Sequence, residues 1–499
     1  MRRNSNSKTD EANSSKTDEA NSLRPRARRT GSTNAPSRRS FLRAAGVTAA
    51  AAGGFAIGTP AAATDEYRTH LDIVADLGAD NTGTEPINDA LAEAVDEHDS
   101  VKVTFPDGEY WIEDGPGGNG FARWDFGDGD EGERVGKVAL VGDGDVTLRP
   151  TEGTRYAMLT LWGQELTIEN FRLDSTAHHT ATGMTSVAED NLLVRNIHVD
   201  GVADGPVEPV DTPAETPPGA SGPGTLIPGL LNADGTGLIE NFRAPDGNIP
   251  LYRKLGCWVN FLHAGDLLFS RCEFSKFSDN GIYGSPPGAG HGNGGSVRVE
   301  NCYFRSNNVT AIRLGSPGSY AKNCTVVVKK DEIPVLPWGG LTHRAGWVWY
   351  DFDGFYRNID VVSDHPRGFG IFSNPSHNGP IEIANCRFEL DADGTEAVRL
   401  VQGTGEATIK NVSVTGEAGG GSGAIRIANR ELKAKNLCIH QTGADRDGIH
   451  LTNVAGSVEN ARIDVTGEAI VVDDDSEVEV TTLPVDGECP PAKARHPLQ

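Results

Sequence analysis

The stretch Gly379–Gly405, GPIEIANCRFELDADGTEAVRLVQGTG, decides the fold of this chain. It holds three short runs in which apolar and polar residues alternate, IEIA, CRFEL and AVRL, separated by polar turns. Period-two alternation predicts strands, and the runs are too short for helices. Three strands and three turns in one unit of this length are what a single coil of a parallel β-helix needs.

The unit recurs along the chain, aligned on an asparagine that follows its first strand. These asparagines are Asn170, Asn196, Asn301, Asn323, Asn358, Asn385, Asn411, Asn436 and Asn460. From Asn358 onward they are 27, 26, 25 and 24 residues apart, which is typical of solenoids. Stacked coils place equivalent residues about 4.8 Å apart. We therefore predict an all-β solenoid in which the asparagines form a buried ladder at a bend.

Composition limits the partners. The chain has 499 residues and a net charge of −25, and residues 64–499 hold 34 basic and 66 acidic residues, a net charge of −32. Only 13 of the 45 basic residues are lysine. This acid-rich, lysine-poor surface resembles that of salt-loving, haloarchaeal-like proteins and argues against nucleic acid as a partner. An acidic surface that serves solubility alone is the alternative.

The seven cysteines show no zinc-site spacing and no disulfide framework. Cys272, Cys302, Cys324 and Cys386 each follow the ladder position with inward parity, which predicts a column of buried small side chains. Neighbours in parallel register suit disulfides poorly. Cys438 falls on the outward parity and Cys489 lies in the C-terminal tail.

The N-terminal 63 residues resemble an export leader. Residues 1–36 are low-complexity, with SKTDEANS twice in succession, and are expected to be disordered. The following SRRSFLR, with an alanine-rich stretch after it, resembles a twin-arginine secretion signal in which Arg38 and Arg39 are the pair. The apolar stretch is too short for a membrane span. The resemblance implies the twin-arginine export machinery, cleavage near Ala63, and a secreted, extracellular protein with no stable membrane anchor.

The entry segment carries a second resemblance. DLGADNTGTEPINDALAEAVDEH, residues 76–98, followed by VKVTFPDGEY, is similar to the entry region of the pectate lyase superfamily. A helix starting at Thr84 and Pro86 would cover the open end of the first coil with its apolar face. The sequence departs from the family at Glu85, where relatives commonly place a second aspartate. The resemblance implies a right-handed parallel β-helix with an N-terminal capping helix, and it specifies fold better than reaction.

These patterns divide the chain into four parts: residues 1–63 as leader and signal peptide, 64–112 as the N-terminal cap region, 113–483 as the parallel β-helix and 484–499 as the tail. Irregular stretches interrupt the coils at residues 113–136, 201–237, 284–296 and 329–346. A solenoid accepts insertions only at turns, and long turn loops often build the binding face.

The alternation in the third run predicts which residues face outward. In TAIRL, inward Ile312 and Leu314 leave Arg313 outward. The same parity gives an outer stripe of Tyr283, Arg313, Phe372, Arg399, Arg426 and His450. Arginine suits planar carboxylates and aromatic rings suit sugar faces, so we expect an acidic polysaccharide to bind there, with Trp338 from a neighbouring loop. Decoration of a solvated sheet is the alternative.

The middle of the solenoid holds the candidate catalytic groups. Loops and turns are expected to bring to Arg313 the side chains of Asp279, His291, His343, Arg344, Asp351, Asp353 and Asp364. β-Elimination from a uronate chain needs a neutralised carboxylate and a base for the C5 proton, with Arg313, Arg344, His291 and Tyr283 as candidates. Hydrolysis needs two carboxylates about 5 to 9 Å apart, which Asp279 with Asp351 or Asp364 would supply. Asp351 and Asp353 are also candidate calcium ligands.

The sequence therefore predicts an exported, salt-adapted carbohydrate-active protein that cleaves an acidic, uronate-containing polysaccharide by β-elimination. A glycoside hydrolase of the same fold with paired aspartates is one alternative. A non-catalytic solenoid that binds surface or matrix polysaccharide is another. A polygalacturonase-like enzyme would imply an NTD triplet and a DD pair, and neither stands at a matching place.

Overall fold

The computed structural model describes residues 67–115, 120–123, 134–154, 157–178, 180, 183–205, 224–250, 252–336, 342–421 and 423–496. The predicted leader and its Arg38–Arg39 pair lie outside the described residues, and so does Trp338. Among the described residues, no helix has both the length and the apolar character that a membrane crossing requires.

The first elements form the entrance to the solenoid: β1 Thr69–Asp72, β2 Thr82–Pro86, α1 Asn88–Asp96, β3 Ser100–Ile112, β4 Phe121–Arg123 and β5 Val135–Pro150. Strands β1 and β2 pair in parallel with β3, which pairs in parallel with β5. Helix α1 buries Leu91, Ala94 and Val95 and packs against β3 and β5, as expected of an end cap. It starts later than predicted, because residues 82–86 pair with β3 as strand β2.

The following coils wind as a right-handed parallel β-helix with three faces. Strands β6 Leu159–Asp174 and β7 Met184–Asp200 each pass through all three faces, and the later coils use shorter strands. These are β8 Leu226–Leu230, β9 Thr236–Ala244, β10 Cys257–Trp258, β11 Asp266–Ser270, β12 Glu273–Ser275, β13 Ile282–Gly284, β14 Ser296–Glu300, β15 Tyr303–Arg305, β16 Val309–Leu314, β17 Tyr320–Lys322, β18 Thr325–Val328, β19 His343–Val348, β20 Phe355–Arg357, β21 Asp360–Ser363, β22 Gly368–Ser373, β23 Ile381–Ala384, β24 Arg387–Leu390, β25 Val398–Leu400, β26 Ala407–Thr415, β27 Ile425–Ala428, β28 Glu431–Gln441, β29 Ile449–Thr452, β30 Ala455–Val465, β31 Ile470–Val472 and β32 Glu477–Thr482.

Each face is a ladder of equivalent strands. The first face runs through β10, β13, β16, β19, β22, β25, β27, β29 and β31. The second contains β11, β14, β17, β20 and β23, and the third contains β12, β15, β18, β21 and β24. Strands β26, β28 and β30 bend from the second face into the third. Because the pairing is parallel and in register, the inward or outward orientation of a position repeats along its row.

The predicted cysteine column is confirmed. Cys272, Cys302, Cys324 and Cys386 are buried free thiols, and the register of the third face stacks them with Ile359 between the last two. Burial raises the pKa of the Cys386 thiol to about 12. They act as small apolar side chains in the core.

The asparagine ladder is present, but its prediction as a buried ladder is wrong. Its asparagines have φ between +53° and +64° and are half-buried or exposed at the bend between the second and third faces. The left-handed conformation turns the asparagine outward and the next residue inward, and asparagine tolerates it better than most residues. Amide groups join neighbouring coils, as when Asn411 donates to Asn385 at 2.8 Å and Asn436 donates to Asn411 at 2.9 Å. Arg271 takes the ladder position in one coil, with φ of +55°.

The C-terminal tail carries a disulfide that the sequence did not predict. Cys438 in β28 is bonded to Cys489 in the tail, 51 residues later. The outward parity of Cys438 was predicted, and this orientation leaves the thiol available to a passing segment. The sequence repeat does not place Cys489 beside Cys438, because the tail lies outside the repeating coils.

The tail lies across the outside of the third face. The Pro484 carbonyl accepts from Arg462, the Pro490 carbonyl accepts from Ser413 at 2.6 Å, and His496 pairs with Glu273 at 3.1 Å. These contacts fall on one outer row of the third face: Arg462, Cys438, Ser413, Arg387, Asp360, Thr325, Tyr303 and Glu273. The tail therefore touches coils at both ends of this row.

Candidate functional site

The first face carries the predicted stripe of outward side chains as one continuous row. The register pairs Tyr283 with Arg313, Arg313 with Trp347, and so on along the face. We refer to these eight residues as the outer row: Trp258, Tyr283, Arg313, Trp347, Phe372, Arg399, Arg426 and His450. All six described residues predicted for the stripe are in it, so the predicted parity is confirmed.

Sequence reasoning missed two tryptophans of the outer row. Trp347 follows Gly346, which pairs with Ile312 and occupies the inward place where other coils have isoleucine. Trp258 lies in the coil that follows the long proline-rich insertion at residues 201–237. Aligning AGWV with AIRL would have found Trp347, because the order inward, outward, inward is the same in both.

Arg313 is packed among aromatic rings. Its guanidinium carbon lies 4.1 Å from the centre of the Tyr283 ring, 3.7 Å from that of Trp349 and 5.1 Å from that of Trp347. Trp349 comes directly after β19, on the same side of the face. Only 6% of Arg313 is exposed, so the rings replace solvent around a cation. Contacts of this kind stabilise a desolvated guanidinium by about 2 kcal/mol.

Arg344 joins the same group from the amino end of β19. Its guanidinium carbon lies 4.1 Å from the Trp347 ring centre and 5.4 Å from that of Phe372, and it donates to Thr342 Oγ1 at 2.6 Å. Burial, and then the positive charges of Arg313 and Arg399, lower the pKa of Arg344 to about 9. We define the arginine–aromatic cluster as Tyr283, Arg313, Arg344, Trp347, Trp349 and Phe372.

The outer row has two electrostatic parts. Towards the C-terminus, the buried carboxylate of Glu396 pairs with Arg399 at 3.5 Å and Arg426 at 3.8 Å, while His450 contacts Asp447 at 2.8 Å. In the arginine–aromatic cluster the cations lack such partners: within the described part of the chain, no carboxylate pairs with Arg313 or Arg344. The Nε atoms of both arginines are buried without a hydrogen-bond acceptor. The predicted stripe is therefore not uniformly basic.

The predicted aspartate pairs for hydrolysis are wrong on geometric grounds. Asp279 precedes β13 and Asp364 precedes β22, so both lie at the amino edge of the first face, whereas Asp351 follows β19 at the carboxyl edge. Strand β19 has six residues, which places the two edges about 20 Å apart. Asp279 and Asp364 are three coils apart, or about 14 Å. Both separations exceed the spacing of a glycosidase pair.

Each of these acids has a local partner or faces solvent. Asp279 is 5% exposed and pairs with Arg253 at 2.5 Å, so the cation it neutralises is not Arg313. Asp364 pairs with Lys329 at 3.2 Å. These pairings cross between coils through turns, where the repeat gives no register.

The predicted calcium ligands Asp351 and Asp353 lie in the exposed turn after β19. Asp353 accepts a hydrogen bond from the Gly318 amide at 2.7 Å. Among the residues that the structure describes, no group of three or more His, Cys, Asp or Glu side chains could hold a metal ion. A calcium site there would need carbonyl and water oxygens to complete it, and it stays a prediction.

The two predicted histidines do not meet the cluster. His291 is exposed in the loop after β13, and its ring contact is with Phe261 at 5.9 Å. His343 is fully buried in β19 and donates from Nδ1 to the Asn307 carbonyl at 3.2 Å. Burial is the main cause that lowers the pKa of His343 to about 3, and electrostatic repulsion by His365 is the second. The prediction of His343 as a loop residue is wrong, because strand β19 begins at that residue.

No known family model matches the chain, and no curated protein matches it. Solved structures do match. The surface adhesin PfbA of Streptococcus pneumoniae is 13% identical, with a TM-score of 0.41, over 80% of this chain and 91% of that one. The A-module of a mannuronan C-5 epimerase from Azotobacter vinelandii is 12% identical, with a TM-score of 0.36, over 82% and 100%. A GH87 α-1,3-glucanase catalytic unit from Streptomyces thermodiastaticus is 14% identical, with a TM-score of 0.30, over 85% and 71%. At these scores and identities the likenesses support no inference about reaction or substrate.

Proposed function

We propose that the protein is an exported carbohydrate-active enzyme that binds an acidic, uronate-containing polysaccharide along the outer row and cleaves it by β-elimination. The observation that carries the proposal is a row of cations and aromatic rings on one face of a strongly acidic protein. The acidic remainder of the surface repels a polyanion, whereas the cations of the outer row attract it. Aromatic rings add flat apolar area for sugar faces.

The cluster supplies what elimination requires at its first step. A guanidinium beside the uronate carboxylate withdraws charge and acidifies the C5 proton. Tyr283 is the candidate base, because its ring centre lies 4.1 Å from the carbon of the Arg313 guanidinium that would hold the uronate carboxylate. The base takes the C5 proton, the C5–H electron pair forms the C4–C5 double bond, and the C4–O bond breaks. The departing oxygen then takes a proton, either back from the phenol of Tyr283 or from water, in which case Tyr283 returns its proton to solvent.

The test is product analysis on the mature protein in molar salt with a panel of uronate polymers. Elimination gives an unsaturated product with ultraviolet absorbance, whereas hydrolysis gives new reducing ends without it. Tyr283→Phe should abolish the absorbance while leaving polymer binding intact. Reducing ends alone, or full activity in Tyr283→Phe, would count against the proposed reaction.

A non-catalytic polysaccharide-binding solenoid is the second candidate. It is favoured by one observation: the hydrogen-bond, ion-pair and ring contacts of Asp279, Asp353, His291 and His343 described above are all with residues outside the arginine–aromatic cluster. Binding of uronate polymers without either product from a broad panel would select this alternative.

Export through the twin-arginine machinery and an extracellular location are part of the proposal. The Cys438–Cys489 disulfide supports it, since such bonds persist in oxidising compartments. Expression in a host with a twin-arginine pathway, with Arg38→Lys and Arg39→Lys in one variant, tests it. We expect the protein in the medium for the native chain and inside the cell for the variant. Equal amounts in the medium would contradict this route.

A further inference from the structure

Three buried N–H donors in the arginine–aromatic cluster have no acceptor among the residues that the structure describes. They are Nε of Arg313, Nε of Arg344 and Nε1 of Trp349. Arg313 is 6% exposed and Trp349 is 8% exposed. Buried donors are nearly always satisfied, and one left without an acceptor costs about 1 to 3 kcal/mol. Three in one contact group mark a place prepared for an acceptor that the described residues do not provide.

Charge leads to the same conclusion. Two guanidinium groups lie against one indole ring, that of Trp347, and no described carboxylate pairs with either. Buried charges in proteins are normally paired. The neighbouring arginines Arg399 and Arg426 follow this rule, since Glu396 lies between them. The missing partner of the cluster is therefore an anion.

Stacking limits how that anion can approach Arg313. Rings of Tyr283 and Trp349 lie 4.1 and 3.7 Å from its guanidinium carbon, which is the contact distance of stacked planes. The N–H edge of the guanidinium, which includes the Nε without an acceptor among the described residues, is the part that a ligand would pair with. That edge matches the two oxygens of a planar carboxylate.

We propose that Arg313, Arg344 and Trp349 form a subsite for a single carboxylate, that of one uronate residue in the bound chain. This deepens the proposed function and rests on it for the identity of the ligand. Trp349 is a determinant of this subsite that the repeat pattern did not indicate. The C-terminal part of the outer row contributes less selectivity for acidic sugars, because Glu396 already pairs with its arginines and offsets part of their charge.

Tryptophan fluorescence tests the subsite without relying on turnover. The purified mature protein is titrated in constant salt with trigalacturonate, and with a neutral trisaccharide as the comparison. The indoles of Trp347 and Trp349 touch the guanidinium groups, so a carboxylate that binds them should change the emission. We expect a saturable change with trigalacturonate and none with the neutral sugar. No saturable response, or an equal response to both, would overturn the proposal.

Variants separate the subsite from general electrostatics. Arg313→Gln should weaken trigalacturonate binding ten-fold or more, since a charge-assisted pair is lost. Trp349→Phe keeps a ring but loses the N–H and should weaken it by a smaller factor. Arg357→Gln is the matched control: that arginine also stacks on a ring, Phe355 at 3.9 Å, but pairs with Glu382 at 2.7 Å on the second face. It should bind within two-fold of the native protein, and circular dichroism checks the fold of each variant.

The outcomes distinguish this inference from the proposed function. Arginine-dependent binding without an unsaturated product would uphold the subsite and refute the lyase. Unsaturated product formed at an undiminished rate and affinity by Arg313→Gln would uphold the lyase and refute the subsite. Inorganic sulfate that competes as strongly as galacturonate would replace the carboxylate by a tetrahedral oxyanion and overturn the assignment.

Discussion

Replacing Asn411 by alanine tests the asparagine ladder directly. Asn411 donates to Asn385 at 2.8 Å and accepts from Asn436 at 2.9 Å, and its φ is +53°. Losing two exposed hydrogen bonds costs about 0.5 to 1.5 kcal/mol each. Forcing alanine into the left-handed region adds about 1 to 2 kcal/mol. We expect the free energy of unfolding to fall by about 2 to 5 kcal/mol.

The assay is urea unfolding followed by tryptophan emission, at one fixed molar salt concentration. Asn411→Gly separates the two terms, because glycine accepts positive φ and loses only the side-chain bonds. Asn301→Ala provides a second comparison. Arg271 takes the ladder position in the coil before Asn301, so Asn301 makes one ladder hydrogen bond, which it accepts from Asn323 at 3.2 Å, where Asn411 makes two. It should cost about 1 kcal/mol less than Asn411→Ala. A change below about 0.5 kcal/mol in Asn411→Ala, or equal losses for Ala and Gly, would refute this reasoning.

Three further perturbations have expected outcomes. Burial lowers the pKa of His263 to about 4, of His343 to about 3 and of His377 to about 4. The folded state therefore disfavours protonation of these histidines, and the free energy of unfolding should fall as the pH drops from 6.5 to 4, by up to about 4 kcal/mol per pH unit. The urea midpoint should accordingly be lower at pH 5 than at pH 7. An unchanged midpoint would contradict this. Cys438→Ser should lower the free energy of unfolding by at most about 4 kcal/mol, the entropy of a 51-residue loop, and should expose the tail to limited proteolysis; equal cleavage of both proteins would show that the bridge does not hold the tail. Raising salt from about 0.1 M to 1 M shortens the screening length from about 10 Å to 3 Å and should raise the urea midpoint of a chain with net charge −25; a midpoint that falls would argue against salt adaptation.

The fold and the outer row were accessible from sequence because both depend on period and parity. Parallel strands in register repeat each inward and outward choice from coil to coil, so Arg313, Arg399 and Arg426 could be placed in one row before any coordinates. The same logic placed the cysteine column. Where the period was interrupted, the reasoning failed, as at Gly346 and Trp347.

Partners between turns could not be predicted in this way. Asp279 seemed available to Arg313, but a turn of the preceding coil brings Arg253 to it. Glu396 pairs with two arginines from a turn position, and this decides which cations of the row lack a carboxylate partner among the described residues. Turn shapes depend on insertions of unequal length, and the repeat gives no rule for them.

The tail has a consequence for how the molecule unfolds. In a solenoid each coil touches only its neighbours, so coils can melt one after another from an open end. Here the segment that ends at His496 is bonded to Cys438 and reaches Glu273, six coils nearer the N-terminus. Loss of a terminal coil therefore also strains contacts far along the row. The tail turns a nearest-neighbour stack into a more cooperative unit, and because it follows all the described coils in sequence, that coupling arises only after those coils have left the ribosome.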